Sequence, residues 1–234
     1  MPPTTRKHAP PANNLLAALP RREYQRLLPT LEEISLPFEK VLYEAGDLIQ
    51  NVYFPTSGIV SLLAAVGSRA SLEVGLVGRE GMVGVPVFMG VKVSRNRAVV
   101  QGVGDAMRMK ATAFRKECDN GSSLPRLLRR YSHSLLTQIS QAAFCNRFHP
   151  IDARLARWLL MTSDRMETEE FALTQEFLSN MLGVRREGVN KAATTLQKQH
   201  LIMYSRGTVT ILNRAGLEAV ACQCYAIIRE EYMA

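Results

Sequence analysis

The chain has 234 residues, enough for one or two domains, and 47% of them are hydrophobic, enough for a real core. Its formal net charge of +8 suits a polyanionic partner without identifying one. No apolar run reaches the roughly 18 residues of a membrane span, the Pro-rich opening PPTTRKHAPPANN has no signal-peptide core, and four scattered cysteines are too few for a disulfide framework, so the expectation is a cytoplasmic protein with reduced thiols and no membrane partner.

Residues 1–13 read as a disordered tail and 14–121 as a β-rich unit opened by short helices. From about Phe38 to Phe114 the pieces VLYEAG, VYFPTSGIVSLLAAV, SLEVGLV and RAVVQGV are separated by Gly, Pro, Asn and Asp. Several strands at near-regular spacing predict an antiparallel roll or barrel. Beyond it Leu124, Leu128, Tyr131, Leu135, Gln138, Ala142 and Cys145 step by three or four, which predicts one long amphipathic helix over 122–149 with a heptad-like seam. No acidic residue lies between Asp119 and Asp152, whereas Arg126, Arg129, Arg130 and Arg147 do. A self-pair must splay these arginines outward; the bland alternative is a helix packed on its own roll. Pro150 then ends that helix or begins the next, and is the natural hinge.

The last unit, 150–234, contains the most informative stretch, LTQEFLSNMLGVRREGVNKAATTL, from Leu173 to Leu196. Thr174 stands where a hydroxyl caps a short helix whose Phe177, Leu178, Met181 and Leu182 share one face. Gly183 supplies a turn, and Val184, Val189, Ala192, Ala193 and Leu196 recur at helical spacing after it. The other side of this second helix carries Arg186, Glu187, Asn190 and Lys191, an outward strip near the helix N-terminus. This is the pattern of a helix-turn-helix that enters a major groove. Arg can fork onto a guanine edge and Glu can accept from a cytosine amino group, whereas Arg185 and Lys191 suit phosphate. LIMYSRGTVTIL, Leu201 to Leu212, then reads as a winged hairpin turning at Ser205-Arg206-Gly207. From Arg185 to Arg214 six basic residues face Glu187 alone, a local excess of +5.

On these residues the chain resembles the Crp/Fnr superfamily of bacterial transcription regulators. Its recognition helix stands here as Gly183-Val184-Arg185-Arg186-Glu187-Gly188-Val189-Asn190-Lys191, and the resemblance puts Arg186, Glu187 and Lys191 on base-reading positions. Thr174, Gln175, Arg185, Asn190 and Arg206 are then backbone or accessory contacts. Gly188 departs from the usual Thr or Ser and costs about 1 kcal/mol of helix propensity relative to Ala. Lys191 departs from Arg, a point charge in place of a fork. Gly46-Asp47, Tyr53, Gly58 and Val60 are similar to the opening strands of the cyclic-nucleotide-binding roll of the same superfamily. The fold class implied is α+β: an antiparallel jelly roll, a long dimerisation helix and a C-terminal winged helix-turn-helix. A homodimer with two-fold symmetry would present two recognition helices to the half-sites of a double-stranded operator. RNA polymerase is a further partner only if the protein activates.

In the superfamily a Gly-Glu pair holds the ribose of a cyclic nucleotide and an Arg-Ser pair its phosphate. The matching positions here are Gly84-Val85 and Arg97-Ala98, and the Thr-Ser pair of the long helix falls on Ile139-Ser140. Val85 and Ala98 cannot make those hydrogen bonds, so cyclic AMP is not expected to bind and the effector is unknown. No cysteine precedes Cys118, against an N-terminal iron–sulfur cluster. His8, His133, His149 and His200 offer no evident haem pairing. Cys145 could act as a redox switch and Cys222-Gln223-Cys224 could bind metal, yet buried inert cysteine is the expectation for both, as are the absence of metal and cofactor. Residues 38–115 contain no histidine, which speaks against a cupin-type metalloenzyme. No enzyme is expected.

Overall fold

The computed structural model describes residues 12–66, 70–205 and 207–233. Asn13 fixes the chain entry by capping α1 (Asn14–Ala17). Its side-chain oxygen accepts from the Leu15 and Leu16 amides, and its Nδ2 donates to the Pro55 and Gly81 carbonyls, both at 2.9 Å. Asn13 is wholly buried, so the tail expected over 1–13 stops short of it; residues 1–11 of that tail lie outside the described residues. After α2 (Arg21–Leu27) come β1 (Leu31–Leu36), β2 (Val41–Tyr43), β3 (Asn51–Pro55), β4 (Ile59–Val66) and β5 (Ala70–Val77), then α3 (Val85–Phe88), β6 (Asn96–Gly102), β7 (Gly104–Lys110) and α4 (Ala111–Asp119). All pairings are antiparallel, in sheets of order β1-β7-β3 and β2-β6-β4-β5. This is the expected roll.

The long helix α5 spans Leu124–Phe148, but its seam points inward. Leu124, Leu128, Tyr131 and Leu135 complete the roll's own core, and Gln138 brackets the backbone of Leu76, accepting from its amide and donating to its carbonyl at 3.2 Å. Cys145 is buried against Cys222 and Cys224, and Ala142 is buried too. The residues assigned to a dimer seam therefore pack within one protomer. The pattern revealed a buried face without telling which partner buries it. The side left exposed carries Arg129, His133, Leu136, Ser140, Ala143 and Arg147, again stepping by four and three, with Phe144 and Phe148 beside it.

The C-terminal unit comprises α6 (Ile151–Met166), β8 (Glu170–Ala172), α7 (Gln175–Leu182), α8 (Arg186–Lys198), β9 (Ile202–Ser205), β10 (Thr208–Ile211), α9 (Arg214–Val220) and α10 (Cys224–Met233). β10 lies between β8 and β9 in one antiparallel sheet. This unit is not hung loosely from the roll. Side chains alternate across a strand, and both faces of the larger roll sheet are apolar: Val60, Leu62, Val77, Ala98 and Val100 fill the roll, whereas Ile59, Leu63, Leu76 and Val99 lie under Leu155, Trp158 and Leu159 of α6.

At the centre of that junction sits a buried carboxyl. Glu73 on β5 accepts from Trp158 Nε1 at 2.9 Å and lies 2.8 Å from Ser61 Oγ, which also touches Gln101 Oε1. The Ser61 hydroxyl has one hydrogen and cannot donate to both oxygens. A protonated Glu73 resolves this by donating to Ser61, which then donates to Gln101. Burial pushes the Glu73 carboxyl up to about 7, only partly offset by the hydrogen bonds from Ser61 and Trp158 and the charges of Arg157 and Arg165. Because the folded state holds the proton more tightly than the unfolded chain, the stability tied to this group is complete below its ordinary value of 4.5 and is lost as pH rises through about 7. Glu73→Gln, a permanent neutral mimic, is expected to flatten that decline, so that its melting temperature gains on the parent protein from pH 4.5 to 7. Parallel melting curves across this range would show that Glu73 titrates as an ordinary carboxylate.

Candidate nucleic-acid interface

Thr174 Oγ1 accepts from the Phe177 amide at 3.1 Å and opens α7. Gly183 closes it at φ +62 with its N–H on the Ser179 carbonyl, and a Cβ there would stand 2.7 Å from Leu72 Cδ1 of the roll. Handedness and close approach both call for glycine. α8 then buries Val189, Ala192, Ala193 and Leu196 against α6 and the sheet of the C-terminal unit. That burial decides which way its other face looks.

Arg185, Arg186, Glu187, Asn190 and Lys191 are exposed, and Thr194, which the sequence reading passed over, continues their strip one turn further. Helical spacing from Lys191 and Asn190 would have found it. Arg185 is the N-cap in extended conformation and makes no side-chain cap bond, so the positive end of α8 is open to an anion. Gln175 donates to Asn190 across the turn at 3.5 Å, tying two of the expected accessory residues to each other. Arg186 lines a shallow cavity of about 320 Å³ with Thr174, Gln175, Tyr204 and Gly207. Tyr204 is a second residue that the sequence did not single out. Its hydroxyl donates to the Leu173 carbonyl at 3.0 Å, and burial pushes its phenol up while nearby Arg186 lowers it. Arg206 lies outside the described residues. The adjoining Gly207, at φ +77, lets the hairpin between β9 and β10 turn tightly.

Gly188 has a packing reason. A Cβ on it would meet Ile151 Cδ1 at 3.2 Å, so the glycine admits the first turn of α6 against α8.

The residues matched to an effector pocket are not left free around a common space. Val85 and Ala98 are buried in the roll's core, Gly84 turns the chain at φ +105 ahead of α3, and Ile139 packs on the same core. Arg97 pairs with Glu44 at 3.3 Å, and Ser140 is exposed on α5. Tyr131 closes over the roll, so near that a Cβ on Gly81 would stand 2.3 Å from its ring. A larger cavity of about 730 Å³ lies elsewhere, between the roll, α6 and the last helices. Its charges are internally matched, with Arg165 on Glu80 at 2.8 Å, Arg214 on Asp164, and Tyr225 donating to Asp164 at 2.9 Å.

The model of the Crp-like helix-turn-helix domain matches residues 153–220. No curated protein matches the chain in sequence. Among solved structures, FixK2 from Bradyrhizobium japonicum is similar at a TM-score of 0.70 and 16% identity over 82% of this chain and 98% of that one. The c-di-GMP responsive global regulator CLP of Xanthomonas campestris is similar at 0.68 and 18% identity, over 82% and 99%. A transcriptional regulator of the crp/fnr family from Eubacterium rectale is similar at 0.68 and 16% identity, over 89% and 98%. Described helices include none long and apolar enough to cross a membrane. The chain thus carries a Crp-like helix-turn-helix domain at 153–220, behind a roll and long helix that share the fold of these solved structures.

Proposed function

We propose that this protein is a transcription regulator of Crp/Fnr type, acting in the cytoplasm as a homodimer on a palindromic operator, and that it does so without cyclic AMP. The observation that carries the reading is the division of α8 into a fully buried apolar side and an exposed strip of Arg186, Glu187, Asn190 and Lys191. Arg186, Glu187 and Lys191 read base edges, while Thr174, Gln175, Arg185 and the wing hold the backbone. Independence from cyclic AMP is supported by Val85 and Ala98, which offer no hydrogen bond, and by the Tyr131 and Leu135 side chains that pack the roll. The dimer face is reassigned to the exposed side of α5, where Leu136 is 54% and Phe144 50% exposed in a single chain. Large exposed apolar side chains on an otherwise basic helix suit a two-fold mate, with Arg129 and Arg147 at the rim.

Selection of bound duplexes from a random library, with and without cyclic AMP at one stated salt concentration, tests the whole reading. A two-fold-symmetric site recovered equally in both arms is expected; recovery only with the nucleotide would reverse the reading of Val85 and Ala98. On that site Glu187→Ala should relax preference at one base pair by about 1–3 kcal/mol, whereas Arg185→Ala should weaken every sequence and lower the salt slope by about 1. Equal losses on all sequences for both variants would remove the distinction. Leu136→Asp should shift the protein toward monomer in sedimentation and weaken palindrome binding by tenfold or more, about 1.4 kcal/mol. A Leu136→Asp protein that remains dimeric would place the interface elsewhere.

A further inference from the structure

Four ligand-bearing side chains that no DNA-binding role accounts for meet where α5 ends. Cys145 and His149 stand one helical turn apart, His149 donating its amide to the Cys145 carbonyl at the C-cap. Cys222 and Cys224 arrive from the other end of the C-terminal unit, on the turn that opens α10, where the Tyr225 amide bonds the Cys222 carbonyl at 2.9 Å. One ligand atom from each of the four lies within 4.8 Å of every other, with Cys145 Sγ 3.3 Å from Cys222 Sγ and Cys224 Sγ 3.6 Å from His149 Nδ1. The three cysteines are buried and His149 is partly so.

We infer that Cys145, His149, Cys222 and Cys224 form a tetrahedral Cys₃His site for a structural zinc ion. Two of these separations are those of ligands on one metal ion, and none exceeds 4.8 Å. Ligands about 2.0–2.3 Å from a tetrahedral centre lie about 3.3–3.8 Å from each other, whereas a cluster of several irons holds its cysteines further apart. Four protein ligands leave no open position, which makes the site structural rather than catalytic. Zn²⁺ with three thiolates and a neutral imidazole would carry one net negative charge, and the buried Arg157, whose Nε has no hydrogen-bond partner, acts electrostatically on all three cysteines. Arg154 lies alongside, donating to Asn146 and the Leu182 carbonyl.

The ion would clamp the base of the DNA-binding unit. Cys145 and Cys222 are 77 positions apart, and the chain between them contains the whole of α6 to α9. Joining its two ends limits how that unit turns about Pro150 and couples metal binding to folding. The ligation rests on side-chain geometry alone and stands or falls separately from the operator reading.

Elemental analysis of the full-length protein, purified under reducing conditions without chelator, should find about one zinc per chain. Replacement by Co²⁺ should give thiolate-to-metal absorption and the visible bands of a tetrahedral centre. Cys224→Ser and His149→Ala should each lose most of the metal, whereas Cys118→Ser, whose cysteine lies outside the cluster, should keep it. Should Cys224→Ser fail to fold, titration of the parent protein with Zn²⁺ against a chromophoric chelator decides the same point. Protein that contains no zinc and takes up neither Zn²⁺ nor Co²⁺ overturns the site, as does a Cys145–Cys222 disulfide found in place of metal in reduced preparations.

Discussion

The structure depends on one sheet having two apolar faces. If β4, β5 and β6 were half-exposed, as strands of an antiparallel sheet commonly are, the roll and the C-terminal unit would lose the apolar junction between that sheet and α6. Instead Leu76 and Val99 turn outward to meet Trp158 and Leu159, while their neighbours Val77 and Val100 turn inward. Trp158 is nearly inaccessible, and its indole nitrogen is satisfied by Glu73 rather than by water. A tryptophan buried with its polar atom partnered adds direction to an otherwise non-directional contact. The carboxyl that partners it must itself be kept dry, which is why its proton is held so firmly.

The same constraint explains the helix that follows. The roll is open where α5 crosses it, and Tyr131, Leu128 and Leu135 fill that opening together with Met82 and Val83. Small residues let this happen, since the Gly81 Cβ position is taken by the Tyr131 ring and the Gly75 position is approached by Leu135 at 3.2 Å. Where a regulator with an occupied pocket would leave room for a ligand, these side chains leave protein. What remains apolar on α5 is the face with Leu136, Phe144 and Phe148, which the described residues leave exposed.

Much of this was legible in the sequence because it rests on local rules. Thr174, Gly183 and the spacing of Val189, Ala192, Ala193 and Leu196 predict two helices and a turn, and the cap, the left-handed glycine and the buried face all follow local chemistry. The β-rich composition of RAVVQGV and SLEVGLV between turn residues likewise predicts strands. What periodicity cannot give is the identity of the surface that meets a face. The heptad steps from Leu124 to Cys145 are equally suited to a second helix and to a roll, and only the tertiary fold chooses. Distance in sequence hid the cysteine cluster in the same way: Cys145 with His149, and Cys222 with Cys224, are each weak signals until the chain brings them together. Glu73 is a charged residue in a strand and is buried because α6 covers that face.

Any signal reaching α8 must therefore pass through packed contacts rather than a flexible linker. Three converge on the helix-turn-helix: Leu72 of β5 against Gly183, Ile151 of α6 against Gly188, and the core shared by α6 with β4, β5 and β6. The first two are glycine contacts with no slack, since an added methyl group would collide in one and press its neighbour in the other. A movement of the β4–β5 hairpin or of the first turn of α6 is thus transmitted to the turn and to the exposed strip of α8 rather than absorbed. Interfaces packed this closely have alternative arrangements instead of continuous play, so a regulatory ligand acts only by preferring one of them. With the roll interior filled by Tyr131 and Leu135, the surfaces on which such a preference can be expressed are those around α6 and the end of α5, where the roll, the long helix and the recognition helix all come within reach of one another.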